Sequence, residues 1–185
     1  MMRIQLKSTL LSAIGVLALG TVITLSSCQE DKCKAVVCAY DGVCQDDGSC
    51  VCKIGYEGER CETITRDKFK GTWTVTEDGT ASNPARYAIS VENGENINDV
   101  LIRNFYNKDN DQVSAHVKED TIIIDRQAIQ VGEQTLMVEG KGYAVPEAFY
   151  DLHGKLMLHY QVTYEDGTVD RFGINGNDNY AIWTK

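Results

Sequence analysis

Phe69-Lys70-Gly71-Thr72-Trp73-Thr74-Val75-Thr76 decides the fold. Phe69, Gly71, Trp73 and Val75 alternate with Lys70, Thr72, Thr74 and Thr76, and a period of two puts one set on a buried face and the other in solvent, as in a half-buried strand. Downstream, similar runs rich in β-branched and aromatic residues occur near 86–92, 99–106, 112–118, 120–126, 134–143, 155–164, 168–174 and 179–184. Turn signals separate them: Glu92-Asn93-Gly94-Glu95, Lys108-Asp109-Asn110-Asp111, His153-Gly154, Glu165-Asp166-Gly167 and Asn175-Gly176-Asn177-Asp178. Asp166-Gly167 between two runs is a strong hairpin mark. Only Glu147 to Leu152 reads as a helical turn. So many consecutive strands on short turns predict an antiparallel meander that closes on itself, because closure removes exposed edges. The region 66–185 is therefore expected to be one mainly β domain, a barrel, with a β-sandwich as the alternative.

An eight-stranded barrel is only wide enough to be filled by side chains or to hold one small ligand. The expected inward set, Trp73, Tyr87, Ile89, Ile122, Ile124, Leu158, Tyr160, Val162 and Tyr164, is bulky enough to fill most of it. Gly71-Thr72-Trp73 on the first strand resembles the Gly-x-Trp of lipocalins and related calycin barrels. That resemblance implies a tryptophan lying across the barrel floor beneath a basic residue near the end of the last strand. Gly71, Trp73 and Lys185 are the matching positions, with Arg171 as the alternative cation. The family's middle Thr-Asp-Tyr motif is not evident.

Upstream, all seven cysteines fall between positions 28 and 61. Setting Cys28 apart leaves Cys33, Cys38, Cys44, Cys50, Cys52 and Cys61. An even number in so short an exported segment implies disulfides, because the segment cannot bury enough apolar surface to fold unaided. Spacing alone leaves the connectivity open. The pattern, with its final Cys52-Lys53-Ile54-Gly55-Tyr56-Glu57-Gly58-Glu59-Arg60-Cys61, resembles an epidermal growth factor-like (EGF-like) module over 33–62. The resemblance implies Cys33 with Cys44, Cys38 with Cys50, and Cys52 with Cys61. Zinc is not expected, since C-x-C and C-x5-C are not its paired knuckles and no histidine lies here. Calcium is not expected either. Glu30 and Asp31 precede Cys33, but Gln45-Asp46-Asp47-Gly48-Ser49 lacks the aromatic that calcium-binding modules carry. The module reads as a rigid spacer, and Thr63 to Asp67 is too short for a flexible linker.

At the start, Met1 to Lys7 carries Arg3 and Lys7 without an acid, and Leu10 to Leu25 is nearly unbroken apolar sequence. Residues 1–27 read as a secretory signal. The run is broken by Ser12, Gly15, Gly20, Thr21 and Thr24, and a spanning helix needs about 20 apolar residues. Leu25-Ser26-Ser27-Cys28 resembles the bacterial lipobox, which implies that Cys28 is lipidated and becomes the mature N-terminus. Two or more acyl chains anchor firmly. Residues 28–32 then form a tether. Gln29 is not the aspartate that retains lipoproteins at the inner membrane of enteric bacteria, and Gln29-Glu30-Asp31 resembles the surface-export signal of Bacteroidetes lipoproteins. The expected place is the outer membrane, lipid-anchored, at the cell surface.

Charge narrows the function. The chain holds 18 Lys+Arg and 27 Asp+Glu, and losing residues 1–27, with two basic residues and no acid, moves the formal charge from −9 to −11. A nucleic-acid partner is excluded, because phosphate binding is driven by clustered Lys and Arg. Catalysis has little to stand on: every cysteine is assigned, His116, His153 and His159 are isolated, and neither a Gly-rich phosphate loop nor a G-x-S-x-G elbow is present. No cofactor or metal is expected. Asp120-Thr121-Ile122 resembles a Bacteroidetes O-glycosylation acceptor and also reads as a plain strand start. The expected partners are the membrane, through lipidated Cys28, and an unidentified glycan, protein or small apolar ligand.

Overall fold

The computed structural model describes residues 31–108, 112–146, 153–174 and 178–185. The signal segment expected over 1–27, Cys28, the helical turn expected at Glu147 to Leu152, Asp109 to Asp111 and Asn175 to Asn177 lie outside the described residues. Residues 32 to 185 form one compact unit, so the cysteine-rich module and the β-domain pack as a single body.

The module is held by three disulfides, Cys33–Cys44, Cys38–Cys50 and Cys52–Cys61. Its regular structure is slight. β1 (Val43–Cys44) pairs with β2 (Cys50–Val51), β3 (Tyr56–Glu57) pairs with β4 (Thr63–Ile64), and the Tyr40 ring stacks on Tyr56 with centroids 4.3 Å apart.

The β-domain comprises β5 (Gly71–Glu77), β6 (Ala85–Asn93), β7 (Asp99–Arg103), β8 (Gln112–Lys118), β9 (Thr121–Val131), β10 (Gln134–Ala144), β11 (Lys155–Thr163), β12 (Val169–Phe172) and β13 (Ala181–Thr184). β5 to β11 form an antiparallel meander, and β13 returns between β11 and β5 to close an eight-stranded barrel. The last barrel strand is split in two. β13 pairs with the first half of β11, from Lys155↔Thr184 to Leu158↔Ala181. β12 pairs with the second half, from Tyr160↔Phe172 to Thr163↔Val169.

Three strands differ in extent from the alternation in the sequence, each for a physical reason. β9 runs on to Val131 because a bulge puts Asp125 and Arg126 opposite the single residue Glu139. The extra residue reverses the phase, so Ile122 and Ile124 point inward before the bulge and Ile129 after it. β7 stops at Arg103, because Asn104 is left-handed and the 3-10 turn Phe105–Asn107 folds Phe105 and Tyr106 into the interior. β12 stops at Phe172, where Gly173 has φ +65°.

The barrel is filled. Trp73, Trp183, Tyr160, Phe69 and Phe172 are its largest fully buried side chains, and the expected inward residues Ile89, Ile122, Ile124, Leu158 and Val162 are buried with them. Tyr87 and Tyr164 are half-buried against this core. Aromatic contacts span the interior: Tyr160 stacks on Phe172 at 4.2 Å, and Phe105 meets Tyr160 and Trp183 edge-on at 5.0 and 6.5 Å.

The junction between module and barrel is specific. β4 runs directly into the 3-10 turn Thr65–Lys68, and the Thr65 amide donates to Gly55 O at 2.9 Å. Lys68 Nζ donates to Glu57 of the module at 2.9 Å and to Asp120 of the β8–β9 turn at 2.7 Å. Arg66 Nη1 donates to Asn96 O at 2.6 Å and Asp99 O at 3.3 Å, which ties the turn to the β6–β7 loop. Gly55, at φ +90°, lies so near Ile97 that a Cβ would approach its Cγ2 to 2.5 Å.

Candidate functional site

At the barrel end nearest the module, Trp73 is fully buried and its Nε1–H donates to Phe69 O at 2.7 Å. Lys185 Nζ lies 4.4 Å from the Trp73 ring centroid and donates to Lys68 O at 3.0 Å and Lys70 O at 2.9 Å. Burial pulls the Lys185 pKa below its ordinary value. Gly71 has φ +114° with open space around it, so its role is backbone conformation. Gly154 closes over this end, where a Cβ would meet Trp73 and Lys185 at 2.9 Å. Arg171 instead sits on β12 opposite Gln161. The polar atoms of this end are occupied by backbone and ring partners, so it closes the barrel rather than receiving a ligand.

The other end holds two buried carboxylates that the strand pattern did not single out, beside tyrosines that it did. Glu77 accepts from Tyr160 Oη at 2.6 Å and from Tyr87 Oη at 2.8 Å. Asp170 accepts from Tyr106 Oη and from the Ala81 amide, both at 2.8 Å, and the Tyr106 and Tyr164 hydroxyls meet. Both carboxylates are buried. Burial pushes the Glu77 pKa up, the two tyrosine hydroxyls pull it down, and Asp170 adds to the rise. Burial likewise raises Tyr87, Tyr106 and Tyr160 well above the usual phenol range. Gly79 lets the β5–β6 loop reach this cluster, since a Cβ there would fall 2.2 Å from Asp170 Oδ1. The network ties the β5–β6 loop, the Phe105–Asn107 turn and β12 together, and satisfied buried polar groups of this kind fix a unique arrangement. The sequence carried two signals of it: Glu77 continues the inward phase of Trp73 and Val75, and Asp170 shares the inward phase of Phe172 on a four-residue strand.

Accessible chemistry lies on the outer wall. A groove of about 680 Å³ crosses β9, β10 and β11 at the bulge. Arg126 Nη1 donates to Glu139 Oε1 at 3.1 Å, and Gln161 Nε2 donates to the same oxygen at 2.8 Å. Further along, Tyr143 meets the His159 ring edge-on at 6.1 Å, and His159 lies 5.6 Å from Tyr180. A ring nitrogen of His159, Nδ1, is 2.8 Å from Gly173 O. A second groove, of about 560 Å³, runs beside Thr76, Arg86, Tyr180 and Ile182. The remaining histidines stand apart, His116 against Asp125 at 3.4 Å and His153 exposed. Among the described residues no cluster of three or more His, Cys, Asp or Glu could hold a metal ion, and no helix is long and apolar enough to cross a membrane.

No protein-family model matches this chain, and no curated protein does so either.

Proposed function

We propose that this protein is a lipid-anchored component of the outer membrane, facing the cell surface, in which an EGF-like module lifts a lipocalin-like barrel whose outer wall binds another macromolecule without catalysis. The anchor rests on Leu25-Ser26-Ser27-Cys28 after an apolar export segment. The EGF-like reading rests on the Gly55-Tyr56-Glu57-Gly58 loop and on pairing in the order first to third, second to fourth and fifth to sixth. The observation that carries the binding reading is the filled barrel: aromatic rings occupy the interior, Lys185 is held by backbone carbonyls at one end, and Glu77 is held by tyrosine hydroxyls at the other. Partners are left with the wall and the loops.

The test is native mass spectrometry of the full lipidated chain, extracted gently from its host. A co-purifying protein or glycan is the expected result. A stoichiometric small apolar molecule would instead establish a carrier and overturn the reading. For the anchor, Cys28→Ala is expected to move the protein from the membrane fraction to the soluble one, and unchanged membrane attachment would sink that part.

A further inference from the structure

The geometry points to the groove across β9, β10 and β11 as a binding site for neutral saccharides. The inference deepens the reading of the barrel as a non-catalytic binding domain and rests on it. Three features build the site. First, the bulge at Asp125-Arg126 turns two consecutive side chains outward, which regular alternation forbids, and so places a carboxylate and a guanidinium side by side. Second, Glu139 alone stands opposite this pair on β10, so one side chain faces two, while Gly140 beside it pairs with Ile124 and turns to the barrel interior, where a Cβ would lie 2.3 Å from that of Tyr160. Third, Glu139 gathers Arg126 and Gln161 on one of its oxygens, Oε1, which fixes three planar polar groups relative to one another. Planar carboxylates, amides and guanidinium groups present paired donors or acceptors in one plane, and adjacent sugar hydroxyls, each both donor and acceptor, match that spacing.

Further along β10 and β11, the same groove supplies the apolar half of sugar recognition. Tyr143 is 38% exposed, the one exposed large hydrophobic side chain of the barrel among the described residues. One face of a pyranose ring is a patch of weakly positive C–H groups, which packs on the negative face of an aromatic ring. Tyr143 and His159 set such rings beside the polar trio.

Other ligand classes fit less well. Arg126 and Lys141 balance Asp125 and Glu139, so the groove offers an ion no net charge. β10 is paired with β9 on one edge and β11 on the other, so it leaves no free backbone edge for a peptide strand. An apolar molecule would desolvate the polar trio without replacing its hydrogen bonds.

The experiment titrates the full mature-length chain with short neutral oligosaccharides of mannan, β-glucan and chitin by calorimetry, and with the parent polysaccharides by pull-down, which separates a free sugar from a surface polymer. Amide-shift mapping follows any binding. Binding with shifts at Lys141, Tyr143 and Gln161 is expected. Tyr143→Ala should weaken it about tenfold, Tyr143→Phe should leave it within about twofold because the ring remains, and Glu139→Gln should weaken it. Arg86→Ala, in the second groove, should have no effect. Saccharide binding that none of the groove variants changes would overturn the site while leaving a binding domain. No binding to any of these sugars would overturn the saccharide assignment, whereas a partner found by native mass spectrometry would still uphold macromolecular binding.

Discussion

The two halves of this protein reach a fixed shape by opposite means. In the module, covalent bridges stand in for a core: Val37, Tyr40, Val43, Val51 and Ile54 are five of the six exposed large hydrophobic residues among those described, and Val37 and Ile54 are about 80% exposed. In the barrel, apolar burial does the work, and Tyr143 is the sixth. A chain too short to bury its apolar side chains gains stability by restricting the unfolded state, whereas a longer one gains it by removing surface from water.

The largest effect expected from breaking this contrast is chemical reduction. Each bridge contributes about 2–4 kcal/mol, so a reductant should unfold the module while the barrel, which contains no cysteine, still melts cooperatively. Hydrogen exchange read separately over 33–62 and 71–184 checks this, and simultaneous loss of both would show that the barrel depends on the module. Next is Trp73→Ala, expected to cost about 3–5 kcal/mol in denaturant unfolding. It should also release Lys185, which would lose its ring partner. The module's bridges should form all the same.

Acid should act on the halves with opposite sign. Glu77 in the barrel has its folded pKa raised above 4.5 by burial. The folded barrel therefore holds that proton more tightly, and its contribution is present below the unfolded pKa and fades as pH rises through the folded one. In the module, Asp47 is held low by the Ser49 hydroxyl and amide, and Glu62 by its own amide and that of Arg60. Their contribution is present above the unfolded pKa and is lost as pH falls through the folded one. Both groups are fully exposed, so the module's slope should be shallow. Stability of each half followed across the carboxylate range, with Glu77→Gln expected to flatten the barrel's curve, decides the matter. A barrel that gains stability on raising the pH through that range would contradict the burial of Glu77.

The smallest expected effect is at the junction. Lys68 is half-buried, which lowers its pKa, but hydrogen bonds to Asp120 and Glu57 outweigh that and raise it. Lys68→Met should cost about 1 kcal/mol or less. Residual dipolar couplings would show whether the module then reorients while Arg66 still holds the β6–β7 loop.

Much of this could be read from the chain because alternation reports which face is buried. β5, β8 and β11 keep one phase from end to end, and their limits fall close to the expected ones. β9 was legible only to Arg126, because a bulge shifts phase without leaving a composition mark. Phe105 and Tyr106 looked like the end of a strand, and only three left-handed residues, Asn104, Tyr106 and Asn107, turn them inward. The floor around Trp73 was within reach because Gly-x-Trp is local. The outer groove was not, because Arg126, Glu139 and Gln161 meet only through the lateral order of strands, which local periodicity does not encode.

The split final strand bears on the order in which the molecule can be made. β5 emerges first in the barrel, yet its closing neighbour is β13, and Val75 pairs with Trp183 more than a hundred residues later. During synthesis the whole module is complete while the leading edge of β5 has no partner. Contacts so far apart in sequence carry a loop-closure cost and form late. Barrel closure therefore waits for the arrival of Ala181–Thr184, and until then β5 is the strand most open to mispairing with another chain.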